Sequence, residues 1–125
     1  MPFSSQHVIA IVGASNNPAK YGCKVLADLQ GAQWCVIPIN PKGGTILGLT
    51  AYPSLLQVPQ KIDGVVFVTK PEVTEQVLLD VRQKGIDDVW FQPGSESEAA
   101  ISFCEENKIN YQKDACIMVN RVNFN

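Results

Sequence analysis

Five short strand-like runs, most of them apolar, each followed by turn-forming residues and mostly separated by segments of helical spacing, constrain this chain more than any other feature. The runs cover residues 7–12 (HVIAIV), 34–39 (WCVIPI), 64–69 (GVVFVT), 88–91 (DVWF) and 109–112 (INYQ). Most lack the polar alternation of a half-exposed strand, so the sheet they form is covered on both faces. Between them, residues 20–30 place Val25, Leu26 and Leu29 on one helical face, and Gly31 can end that helix. Pro71 suits the first position of a second helix, in which Val73, Val77, Leu78 and Val81 follow at helical spacing until Gly85. Ser95 is placed to cap a third helix reaching Asn107, with Glu98 in capping-box register. Residues 43–62 hold Pro53 and Pro59 with little periodicity, and a loop and a short helix are expected there.

Alternating strands and helices predict a parallel sheet, and right-handed crossovers put helices on both of its faces. The expected fold is a single α/β domain over residues 1–125, a Rossmann-like doubly wound five-stranded sheet with strand order 3-2-1-4-5. Its 46% hydrophobic and 18% charged residues belong to a globular chain rather than a disordered one. A net charge of −2 argues against a nucleic-acid binder, which needs a strongly basic face. No apolar run approaches the ~20 residues that span a bilayer, so no membrane role is expected. The first six residues carry no Lys or Arg and do not read as a signal peptide. Cys23, Cys35, Cys104 and Cys116 form no C-x-x-C pair, and the single His7 cannot complete a zinc site with them. Reduced thiols in a cytoplasm are the simplest reading.

In such a sheet, ligands sit outside the carboxyl ends of the strands. Those ends are Gly13-Ala14-Ser15-Asn16-Asn17-Pro18, Asn40-Pro41-Lys42-Gly43-Gly44, Thr69-Lys70-Pro71, Gln92-Pro93-Gly94-Ser95 and Lys113-Asp114-Ala115-Cys116. Gly13 allows a tight turn and a close approach of backbone to ligand. The Ser15 hydroxyl can donate to a phosphate oxygen, and the following helix offers unpaired N–H groups and about half a positive charge at its start. Lys20 and Lys42 add charge from neighbouring segments. Read without a ligand, Gly13 is a strand-to-helix turn and the lysines solvate an edge. The G-x-G-x-x-G fingerprint is absent, because Ser15 stands where its second glycine belongs and Gly22 lies too far along. Where an NAD site usually has an acid for the ribose diol, this chain has Asn40, then Pro41 and Lys42. A cation there suits an extra phosphate: the 3′-phosphate of coenzyme A or the 2′-phosphate of NADP.

Five motifs now stand in order: Val12-Gly13-Ala14-Ser15 with Pro18, Lys20 and Gly22; Val36-Ile37-Pro38-Ile39-Asn40-Pro41-Lys42; Tyr52-Pro53-Ser54-Leu55; Val89-Trp90-Phe91-Gln92-Pro93-Gly94; and Asp114 with Cys116. Across roughly residues 7–119, the chain resembles the stand-alone CoA-binding proteins of the succinyl-CoA-synthetase-like Rossmann family, the YccU-like group. The resemblance implies a CoA diphosphate at the first loop and adenosine across the edge between the second and third strands. It departs from that pattern at Asn16-Asn17, at Ala115 and in residues 119–125, which lack an acidic and histidine tail.

The strand-end loops and the resemblance together give an expected cofactor-binding set of Gly13, Ala14, Ser15, Pro18, Lys20, Asn40, Pro41, Lys42, Thr69, Lys70, Pro71, Gln92, Pro93, Gly94 and Cys116, with no catalytic residue and no metal expected. His7 opens the first strand, at the opposite edge, and matches no phosphorylated histidine of the synthetase. Cys116 is close enough to meet the CoA thiol, although packing is its simpler role. Cys35 and Cys104 read as buried, and Cys23 as packed near a helix start. Trp90 reads as core rather than as an adenine platform. Glu96 and Glu98 suit a helix start rather than an acid/base pair, and Lys70 serves either phosphate or solvent. The expected function is binding of coenzyme A or an acyl-CoA without catalysis. An NADP-linked oxidoreductase is the alternative, but neither Tyr21 nor Tyr111 has a lysine four residues on. A cofactor-binding subunit of a larger complex is a further reading, and a protein partner or homo-oligomer is left open.

Overall fold

The computed structural model describes residues 2–121. Strands β1 (Val8–Val12), β2 (Cys35–Ile39), β5 (Gly64–Phe67), β6 (Asp88–Phe91) and β7 (Asn110–Gln112) form one parallel sheet. Helix α1 (Tyr21–Gly31) joins β1 to β2, α2 (Pro71–Lys84) joins β5 to β6, and α3 (Glu98–Glu106) joins β6 to β7. A short hairpin, β3 (Thr45–Ile46) and β4 (Leu49–Thr50), and a 3₁₀ turn (Leu55–Gln57) fill the connection from β2 to β5. A last short helix, α4 (Ile117–Asn120), follows β7. The tail residues 122–125 lie outside the described residues.

Side chains alternate along each strand, so β1, β2, β5 and β6 each contribute to both cores, while β7 sets only Tyr111 against one of them. Ile9, Ile11, Val36, Val66 and Trp90 face one side, where Val25, Leu26 and Leu29 of α1 pack with Ile46 of the hairpin and Ile117 of α4. Ala10, Val12, Ile37, Ile39, Val65, Phe67, Val89 and Phe91 face the other, under Leu78 and Val81 of α2 and Ala100 and Cys104 of α3. Trp90 is core as expected: its ring meets Phe3 edge-on at 5.6 Å and its Nε1 donates to the Ala115 carbonyl at 2.9 Å.

The doubly wound α/β class stands, but the strand order is corrected. The order is β2-β1-β5-β6-β7, or 2-1-3-4-5 among the five sheet strands, rather than 3-2-1-4-5. Asp63 pins β5 beside β1: its carboxylate accepts from the Val8 N–H at 2.8 Å and its own N–H donates to the Val8 carbonyl. Pro38 explains why β2 is an edge. Its carbonyl points outward and accepts from the Tyr52 N–H at 3.1 Å, so its missing N–H lies on that same outer side. A full strand paired there would lose a ladder bond. Instead the chain returns along the edge at Tyr52, which bridges to Ile39, and crosses to the far side of β1.

Two smaller expectations are also corrected. Ser97 caps α3, accepting from the Ala100 N–H at 3.0 Å, whereas Ser95 is buried and donates its hydroxyl to the Gln92 carbonyl. Cys35 is exposed, because the first residue of an edge strand has no neighbour to cover it. Cys104 is buried as expected, and burial, reinforced by the Glu105 charge, pushes its thiol up to about 11. A raised thiol pKa keeps the group protonated and unreactive below that pH. Alkylation of the native protein at pH 8, mapped by peptide mass spectrometry, should therefore label Cys35 first and leave Cys104 unlabelled.

Candidate functional site

The chain leaves β1 toward β2 on one side and returns to β5 on the other, so the switch in direction falls between the carboxyl ends of β1 and β5. A cavity of about 710 Å³ opens there. Its wall is built from Gly13, the first turn of α1 (Lys20, Tyr21, Gly22), residues 68–71 after β5, residues 92–95 after β6, and Cys116. A narrower crevice of about 140 Å³ shares Gly13 and Thr69 with it. This second space runs between Pro41, Pro53 and Leu55 on one side and Val73, Val77 and Asp80 of α2 on the other.

The turn after β1 is shaped by crowding. Gly13 has φ +94, and a Cβ there would strike the Val68 carbonyl oxygen. A Cβ on Gly22 would strike the Gly13 carbonyl oxygen. Gly22, outside fingerprint spacing in the sequence, therefore performs the close helix-to-turn packing that a dinucleotide site assigns to its last glycine. The positive φ bears out the tight turn expected from sequence, and the crowding by Val68 adds a second reason that only glycine fits here. Ala14 is buried beneath the turn, and its carbonyl accepts from Asn40 Nδ2 at 2.8 Å. Ser15 Oγ accepts from the Asn17 N–H at 3.0 Å, leaving its own proton to donate.

Two helices start at the cavity wall without a side-chain cap: α1 behind Lys20 and α2 behind Lys70, with Pro71 in the first turn of α2. Unpaired N–H groups and dipole charge at these starts favour an anion, and Lys20 and Lys70 add full positive charges. By contrast α3, whose first turn is not in the wall, has its own serine cap. These features favour an anion locally, against the opposing charges of Glu72 in the first turn of α2 and Asp80 in the crevice wall.

Of the residues expected from sequence, Gly13, Lys20, Thr69, Lys70, Pro71, Gln92, Pro93, Gly94 and Cys116 line the cavity. Pro41 lines the crevice. Ala14, Ser15, Pro18, Asn40 and Lys42 line neither. Asn40 is a brace, since its Nδ2 goes to Ala14 and its Oδ1 accepts from the Lys42 N–H at 2.9 Å. Gln92 is also committed: Oε1 accepts from the Ile117 N–H at 2.7 Å and Nε2 donates to Cys116 Sγ at 3.4 Å, fixing α4 against the cavity. Tyr21, Gly22, Val68 and Ser95 were not among the expected site residues. The first two were legible as the first turn of the helix after the loop. Ser54 in the crevice belonged to the Tyr52–Leu55 motif without being singled out for the site, and Asp80 carried no sequence signal. The second and third strands of the sheet are separated by β1, and the crevice crosses the edge over β1, from Pro41 after β2 to Thr69 and Val73 after β5.

A doubly wound sheet with an anion-favouring cavity at its switch point places the chain among Rossmann-like ligand-binding domains. Within that class, residues 7–121 match the CoA binding domain family, and the chain belongs to it. A solved structure of a conserved hypothetical protein from Pyrococcus furiosus is similar at TM-score 0.88 and 43% identity, covering 91% of this chain and 98% of that one. The protein YneT of Bacillus subtilis is 30% identical over 111 residues, covering 89% of this chain and 82% of its own. An ADP-forming acetate–CoA ligase of Methanocaldococcus jannaschii is 34% identical over 101 residues, which are 81% of this chain and 14% of the ligase. The chain spans only 19%, 12% and 14% of three other such ligases from Pyrococcus furiosus and Archaeoglobus fulgidus.

Gly94 offers a control for Gly13, because a Cβ there meets open space although φ is +93. Gly94→Ala should cost about 1 kcal/mol, the ordinary penalty of a side chain at positive φ. Gly13→Ala adds the collision and should cost at least about 3 kcal/mol. Urea unfolding of the two variants measures the difference.

Proposed function

We propose that this domain binds coenzyme A or an acyl-CoA at the carboxyl edge of the sheet and performs no chemistry unaided. The observation that carries the reading is the convergence of two uncapped helix starts, with Lys20 and Lys70, on the cavity at Gly13. The diphosphate lies over the turn after β1. Adenosine occupies the apolar crevice between Pro41, Pro53 and Val73. Exposed Lys42, one residue beyond Pro41, reaches the 3′-phosphate. The pantetheine arm runs through the larger cavity toward Gln92 and Cys116. Membership of the CoA binding domain family supports this assignment.

The positions of two reactive groups support binding without turnover. His7 is at the amino end of β1, hydrogen-bonded to Ser4 at 2.9 Å, and faces the opposite edge. Tyr111 donates to Glu105 at 3.0 Å, and that bond raises its pKa. Neither group can reach a thioester or a nicotinamide in the cavity. A partner protein would supply any reaction of the bound thioester.

Thermal melts with CoA, dephospho-CoA, NADP, NAD and ATP test the proposal. At about 100 times its dissociation constant a ligand stabilises the native state by about 2.7 kcal/mol, which for a domain of this size raises the Tm by roughly 10 °C. CoA should give that rise and dephospho-CoA a clearly smaller one. Lys42→Ala should narrow the gap between them. A larger rise with NAD than with CoA overturns the assignment, and turnover of acyl-CoA by the isolated chain overturns the claim that it only binds.

A further inference from the structure

We propose that Asn16 is a positioning residue for the ligand's diphosphate: it locks the turn after β1 to the β3–β4 hairpin and so holds the turn's N–H groups where a diphosphate meets them. This rests on the coenzyme A reading and adds to it the element that sets the geometry of the phosphate turn.

The turn has little rigidity of its own. Its internal side-chain bonds are local, from the Asn17 N–H to Ser15 Oγ and from the Ala19 N–H to Asn17 Oδ1, each 3.0 Å. Two asparagines tie it to the segment that follows β2. Asn40 holds the Ala14 carbonyl from below. Asn16 reaches outward and uses both ends of its carboxamide: Nδ2 donates to the Thr45 carbonyl at 2.9 Å, and Oδ1 accepts from the Leu47 N–H at 3.0 Å. The hairpin is itself anchored, with Ile46 buried in the core beside α1 and the Leu47 carbonyl accepting from Gln30 Nε2 at 3.3 Å. Rigidity therefore passes from core to hairpin to turn. An aspartate at position 16 would keep the bond from Leu47, lose the donor to Thr45 and place a carboxylate beside the phosphates.

Asn16 is exposed, so Asn16→Ala should fold. Hydrogen exchange should then quicken at the Leu47 amide, which loses its acceptor, and at the Asn17 amide within the turn, while the amides of β1 and the middle of α1 keep their protection. Dissociation constants for CoA and ADP should rise about fivefold, the scale of two solvent-exposed hydrogen bonds. The constant for adenosine 3′-monophosphate, which lacks the diphosphate, should not move. Asn16→Asp should weaken CoA and ADP further than Asn16→Ala does. Unchanged exchange at the Asn17 amide overturns the clamp, whatever binds. Faster exchange with unaltered CoA affinity, or equal weakening of all three ligands, overturns the positioning role. Failure of the parent protein to bind CoA or ADP instead defeats the reading in the previous section, and the clamp then stands or falls on the exchange data alone.

Discussion

The close passage of three backbone segments at Gly13 is the constraint on which the rest of this structure depends. The turn after β1 must pass between the end of β5 and the first turn of α1, and the space admits no Cβ on Gly13 or Gly22. Because Gly22 is in the opening turn of α1, the helix starts almost on top of the turn. Its unpaired N–H groups are brought to the cavity wall rather than spread into solvent. The same crowding puts the β5 end, and with it Lys70 and the start of α2, beside the first turn. The anion-favouring wall is thus a packing result before it is a recognition device.

Much of this was legible in the sequence, because short apolar runs leave few options for a parallel sheet. The strands and the first and second helices fall close to where periodicity placed them, and the alternation of Val65 and Phe67 against Val66 assigns their faces. The strand order was not read correctly, although one residue carried it. Pro38, inside a run that looked central, confines that strand to an edge. The hairpin of residues 45–50 escaped because two-residue strands are too short to show a period. Its turn at Leu47-Gly48, both at positive φ, is visible only through the glycine. For α3, a capping-box pattern matched Ser95, but Gly94 at positive φ folds that serine back to Gln92 and leaves the cap to Ser97.

The candidate site was legible to the extent that loops at strand ends are. Nine of the expected residues line the cavity because topology alone brings their loops together. The two side-chain amides have a structural task that the sequence did not show. Asn40 and Gln92 are polar residues at strand ends, as ligand contacts would be, yet each is spent on a neighbouring segment of the chain. Sequence shows that a carboxamide is present and cannot show which backbone groups have already claimed it. At this edge the two amides hold the loops together.

The two borders of the sheet differ in kind. At β2, the outward carbonyl of Pro38 is taken by Tyr52, and the imino nitrogen beside it has nothing to offer. At β7, three residues, Asn110, Tyr111 and Gln112, make a strand too brief to template a sixth. Long apolar strands with open borders recruit other chains edge to edge, and these strands are apolar enough to do so. One border is sealed and the other truncated, so the hydrophobic sheet remains finite. Self-association by strand addition is disfavoured at both sides, and the pairing that holds the sheet together stops where it was built.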